Sequence, residues 1–155
     1  MTQQLYWEDV QVGTEITPLV KIPTTRMLVQ FAGASGDFNP LHYDDVFARN
    51  QGPGRTIVHG ALKAAWLGQM LKEWIGEEGF LKRYGCQYRS QDMPRRMRTQ
   101  TEPEQEGETC TCRGVITKKY IEDGEHSLDC DIWVENSSGQ KTTPGTATVV
   151  LPARG

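Results

Sequence analysis

The sequence predicts an α+β domain in which a curved antiparallel sheet wraps around one long central helix. Two observations carry this expectation. Residues 57–75, IVHGALKAAWLGQMLKEWI, hold the longest helical pattern, with apolar residues over most of its circumference, so other structure should surround this helix. After Gly79 the pattern changes to alternation, and no helical segment separates the later strands, which implies short turns and antiparallel pairing.

Residues 5–22 carry scattered apolar side chains and a turn at Gly13, consistent with a loop and an edge strand. Pro23, Thr24 and Thr25 then offer a cap for a short helix through Met27, Leu28 and Phe31, which Gly33 can end. ASGDFNPLH follows as a shaped loop, because Asn39 precedes a proline and is biased away from helical angles. Asp44 and Asp45 can cap a brief helix, and NQGPGRT reads as a connector. Beyond the long helix, strands are expected over 80–90, 95–103, 108–121, 125–135 and 143–151. In 125–134 the even positions His126, Leu128, Cys130, Ile132 and Val134 are mostly apolar, as on one face of a half-buried strand. Asp123 and Gly124 supply the tight turn between the third and fourth of these.

At 155 residues the chain suits a single domain, and no repeat or linker divides it. Its 37% hydrophobic and 24% charged composition is that of a folding chain, not a disordered one. No apolar run reaches the roughly 18–20 residues of a membrane span, and the N-terminus lacks a targeting pattern, so a cytoplasmic location is expected. A net charge of -3 disfavours a general nucleic-acid binder, which must displace counterions from phosphates.

Four cysteines raise the question of a metal site built from Cys110, Cys112, His126 and Cys130. Folding the hairpin at Asp123 and Gly124 sets Glu122 opposite Glu125, Cys130 opposite Thr117 and Cys112 opposite Glu135. Each residue of strand adds about 3.4 Å, so the thiol pairs lie too far apart for one tetrahedral ion. Buried, reduced strand thiols are expected instead.

Chemistry concentrates in SGDFNPLH, residues 35–42. Asp37 and His42 lie across an Asn-Pro turn that can bring a carboxylate and an imidazole to one water, a general acid/base arrangement suited to neutral pH. Asn39 could hold the loop or fix a reacting carbonyl. Asp, Asn and Pro also suit any turn, and composition alone favours that plainer role. IVHG, residues 57–60, opens the long helix, where unpaired N–H groups at the positive dipole end could let Gly60 donate to a developing oxyanion; simple packing is the alternative. Ala61, Ala64, Ala65 and Gly68 form a small-residue stripe that admits a sheet or a thin apolar ligand.

GDFNPLH, followed by HG at the head of a long helix and preceded by YWEDVQVGTEI, resembles the MaoC-like (R)-specific enoyl-CoA hydratase family. The resemblance covers residues 6–75 in motif and the remainder in architecture. It implies a single hotdog domain over residues 1–155, with Asp37 and His42 as the catalytic pair and the Gly60 amide on the thioester oxygen. Asn39, Val58, His59 and Leu62 are expected around the substrate. It further implies an acyl-CoA thioester substrate, no metal or redox cofactor, and a homodimer or larger assembly with sheets side by side. Some relatives carry serine at the position of Gly68, so a hydroxyl contact is missing here.

Lys82, Arg83, Arg89, Arg95, Arg96 and Arg98 fall close together with only Asp92 opposing them, and Arg89 and Arg95 are candidates to clamp coenzyme A phosphates. An RNA-binding role for the cluster lacks neighbouring aromatic residues. Two other readings remain: a non-catalytic acyl-CoA-binding subunit of a hetero-oligomer, and a thioesterase on the same fold.

Overall fold

The computed structural model describes residues 4–155. Strand β1 (Glu15–Lys21) is followed by α1 (Thr25–Ser35), a 3-10 turn over Pro40–His42, α2 (Asp45–Gln51) and the central helix α3 (Gly60–Ile75). The chain then adds β2 (Phe80–Cys86), β3 (Cys110–Glu122), β4 (Glu125–Glu135) and β5 (Lys141–Val150). All neighbouring strands pair antiparallel in the order β1-β3-β4-β5-β2, and α3 lies across all five. The expected sheet and helix are therefore present, with β1 on an edge. No helix among the described residues is long and apolar enough to cross a membrane.

Period explains the core. Leu67, Leu71 and Ile75 are fully buried on one stripe of α3 and meet Ile16, Ile116, Leu128, Ile132, Val134 and Val149 from the sheet. Each such side chain contributes about 1.5–3 kcal/mol relative to exposure. The opposite stripe, Ala61, Ala65 and Gln69, remains exposed, so within one chain α3 is covered on one side and not surrounded as expected.

Several boundaries differ from expectation for local reasons. Helix α1 runs past Gly33 to Gly36, the residue with the left-handed φ of 79° that stops a helix. Helix α3 begins at Gly60, not at Ile57: His59 holds the non-helical angles of an N-cap, φ -56° and ψ 132°, and the Ile57 and Val58 N–H groups bond the carbonyls of Leu41 and Asp92. Residues 95–103 form no strand; Arg95 only bridges to Thr24, and Met97 to Pro103. Asp123 and Gly124 both have positive φ, 52° and 81°, as a two-residue hairpin of this hand requires, and Glu122 pairs with Glu125. A bulge at Thr117 then shifts the ladder by one residue, so Cys130 faces Ile116 and Cys112 faces Val134 instead of Thr117 and Glu135. Cys112 and Cys130 still stand on separate rungs. Burial pushes both thiols up to about 12, which makes them poor nucleophiles.

Candidate active site

The loop between α1 and α2 is built by short-range polar contacts. The Asn39 carboxamide oxygen accepts the Leu41 N–H at 3.1 Å and caps the 3-10 turn that ends in His42. Asn39 thus shapes the loop, the first of the two roles expected for it. Its own N–H reaches Asp37 Oδ1 at 3.3 Å, leaving Oδ2 directed at His42.

His42 is 9% exposed. Its Nδ1 donates to the Ile57 carbonyl at 2.8 Å, since a carbonyl can only accept. In the neutral ring this leaves the Nε2 lone pair facing Asp37 Oδ2 at 3.9 Å. That separation is too long for a good direct hydrogen bond and suits one water bonded to both groups.

His42 shares a cleft of about 250 Å³ with Val58, Gly60, Lys63, Tyr88 and Arg89. Gly60 is the first residue of α3, where N–H groups have no intrahelical acceptor. A Cβ there would lie 2.7 Å from the Tyr88 ring, so glycine is needed for this approach. Tyr88 was not legible as a site residue; nothing in its surroundings in sequence marks it. A larger groove of about 450 Å³ lies against Leu19, Met70, Trp74 and Arg154, but its Arg154 is paired with Asp9 and it holds none of these groups.

Val58, Gly60 and Arg89 reach the cleft as expected, Arg89 with its guanidinium bonded to Gln87. Leu62 and Arg95 do not. Leu62 turns into the hydrophobic core. Arg95 pairs its backbone with Pro23 and Thr25 and gives its guanidinium to Thr109. The rest of the basic cluster is spent on neighbours: Lys82 on Glu125, Arg83 on Thr148, Arg96 on Asp45 and Arg98 on Glu102. Tyr84 brings its hydroxyl to 3.2 Å from where a Gly68 Cβ would stand, filling space a small side chain there would use.

One buried pair escaped the sequence reading. Lys63, 1% exposed, donates to Asp92 Oδ2 at 2.7 Å and to the Ser90 carbonyl at 2.9 Å. The Asp92 oxygen also accepts from Thr142, and the Asp92 carbonyl takes the Val58 N–H. The pair ties the segment that carries Tyr88 and Arg89 to the first turn of α3. A lysine in a helix with an aspartate 29 residues on offers no pattern that singles it out.

His59 is also misplaced by the sequence reading. It is fully buried behind His42, with the two rings stacked at 3.7 Å, and does not line the cleft. Asp37, His42 and His59 place potential ligand atoms within 4.8 Å of one another. However, rings stacked 3.7 Å apart hold their lone pairs in two nearly parallel planes, so one ion about 2.0–2.1 Å from both nitrogens would sit well out of a ring plane, a poor geometry for imidazole ligation. Burial, and then the neighbouring His42, push the His59 imidazole below its ordinary 6.5. The unfolded chain therefore takes up a proton that folded His59 refuses, and stability falls as the pH drops below 6.5. Thermal unfolding between about pH 7.5 and pH 5 should show Tm declining with acid, and His59→Gln should flatten the decline. An unchanged slope in the variant would contradict this.

The MaoC like domain family matches residues 9–106, more than half of the chain. The protein belongs to the MaoC-like family. The chain is 26% identical to an (R)-specific enoyl-CoA hydratase of Rhodospirillum rubrum, over 97% of this chain and 94% of that protein. It is 40% identical to a 3-hydroxybutyryl-CoA dehydratase of Methylorubrum extorquens over 43% of this chain and 42% of that one. Among solved structures, the (R)-hydratase from A. caviae involved in PHA biosynthesis superimposes with a TM-score of 0.77 at 23% identity, covering 94% of this chain and 99% of that chain. The hotdog fold of this MaoC-like chain is thereby established.

Proposed function

We propose that this MaoC-like protein adds water to trans-2-enoyl-CoA to give (3R)-hydroxyacyl-CoA, or runs the reverse dehydration. The observation that carries the reading is His42 Nε2 facing the Asp37 carboxylate at 3.9 Å beside a cleft that also holds the Gly60 helix start. A water between Asp37 and His42 bonds through oxygen to C3 of the enoyl group, and His42 Nε2 takes its proton. The C2–C3 π pair moves toward the thioester oxygen, whose developing charge is met by the Gly60 N–H at the positive end of α3. Asp37 stabilises the imidazolium, which returns the proton to C2. Water is added across the double bond and the site regains its starting protonation state.

No step needs a metal or redox cofactor, and coenzyme A enters only as part of the substrate. Crotonyl-CoA and longer or branched enoyl-CoAs should lose their enoyl absorbance with this protein, equally with and without a strong chelator. Release of free thiol without hydration would replace this reading with a thioesterase. Loss of activity on chelation would overturn its metal-free chemistry.

The assembly proposed is a homodimer joined along β2. This strand is a sheet edge, its Phe80 and Tyr84 are exposed, and Tyr84 lies against Gly68 of α3. Light scattering should give twice 17.5 kDa or a multiple of that pair; a monomer at micromolar concentration would contradict it.

A further inference from the structure

His59 touches both members of the Asp37/His42 pair from behind. Its ring lies against the His42 ring, centroids 3.7 Å apart and planes 21° from parallel. Its Nε2 donates to the main-chain carbonyl of Asp37 at 3.2 Å. Phe31 packs edge-on against it at 4.9 Å, so α1 braces the far side. With Nε2 committed as donor, Nδ1 is the acceptor of the neutral ring, and it is buried without a hydrogen-bond partner among the described residues. An imidazole that leaves one nitrogen unpaired in the interior carries a desolvation cost that a phenyl ring filling the same space would avoid. Its one hydrogen bond and its ring stack fall on the two residues the reaction uses.

We propose that His59 is a positioning residue that holds Asp37 and His42 at their working separation, through the hydrogen bond to the Asp37 backbone and the stack on the His42 ring. The proposal rests on the reading of Asp37 and His42 as the reacting pair. His59 meets no substrate, since the His42 ring lies between it and the cleft. It acts by removing freedom: the His42 end of the loop is tied to Ile57 through the Leu41 carbonyl and His42 Nδ1, whereas the Asp37 end is otherwise held only by Ser35 and by contacts within the loop, and the bond from His59 ties that end to the residue immediately before Gly60. Carboxylate, imidazole and helix amide thereby share one frame.

Two variants each remove one contact. His59→Phe keeps a ring in the stack and removes the donor to Asp37; His59→Gln keeps a side-chain N–H and removes the stack. With crotonyl-CoA, or whichever enoyl-CoA the parent prefers, kcat should fall at least about tenfold in each, with KM and butyryl-CoA affinity within about threefold of the parent. Nitrogen-15 spectra of the parent should show His42 in a single tautomer protonated at Nδ1, and His59→Gln, by freeing the unstacked ring to swing off the Ile57 carbonyl, should give mixed tautomers there. A folded variant of either kind with kcat within twofold of the parent overturns the joint role, as does a loss seen equally in KM. If His59→Phe does not fold, the kcat and spectrum of His59→Gln decide alone. If the parent hydrates no enoyl-CoA, the underlying reading fails by that result, while the His42 spectra still accept or reject the positioning role.

Discussion

Asp37→Asn and His42→Ala should each lower kcat for enoyl-CoA hydration by about 10²–10⁴-fold, the usual contribution of a positioned acid or base. The fold should survive both changes. Asp37 is exposed and its main-chain contacts do not depend on the charge, so asparagine can keep the Asn39 N–H bond and the loop. What asparagine lacks is the charge that supports a protonated His42 across 3.9 Å. His42→Ala removes the imidazole whose Nε2 faces Asp37, and His59 cannot replace it from a buried position with its Nε2 already donated. The two losses should be far from additive in the double variant, because either change alone disables the same proton transfer. Near-normal turnover in both folded single variants would contradict the assignment.

Lys63→Met should destabilise the protein by about 3–5 kcal/mol, a large part of the 5–15 kcal/mol that holds a typical domain together. The side chains of Lys63 and Asp92 are 2% and 0% exposed, so the carboxylate left behind would lose its cation without gaining water. Thr142 would remain its single hydrogen-bond donor, with Asp92 Oδ1 already unpaired. The paired change Lys63→Met with Asp92→Asn should recover much of the stability, since no orphan charge remains. Denaturant midpoints of the parent, single and double variants measure both effects. A single variant within about 1 kcal/mol of the parent would show that the pair does not hold the cleft wall.

The architecture was largely legible because its signals are local. Period in α3 and β4 and the Asp123-Gly124 turn each act within a few residues, and the structure follows them. What failed was registration between distant segments. The bulge at Thr117 depends on how β3 fits both β4 and β1, and nothing in its own run of residues announces it. Residues 95–103 alternate enough to suggest a strand, yet the sheet is complete without them and their carbonyls serve α1 and the neighbouring loop instead. The site divides the same way. Asp37, His42 and Gly60 sit in short motifs whose turn and helix-start chemistry places them. The family resemblance puts Leu62 near the substrate and the basic cluster puts Arg95 there, but a helix turns Leu62 inward and the 95–103 segment leads Arg95 away. Lys63 meets Asp92, and Gly60 meets Tyr88, only after the chain has run along α3 and back through β2, so no spacing rule could join them.

The most direct test of the central claim is the configuration at C3 of the product formed from a panel of trans-2-enoyl-CoAs. The account predicts hydration to the (3R)-hydroxyacyl-CoA, abolished together by Asp37→Asn and His42→Ala. Formation of the (3S) product, or hydration that persists in both folded variants, would contradict it.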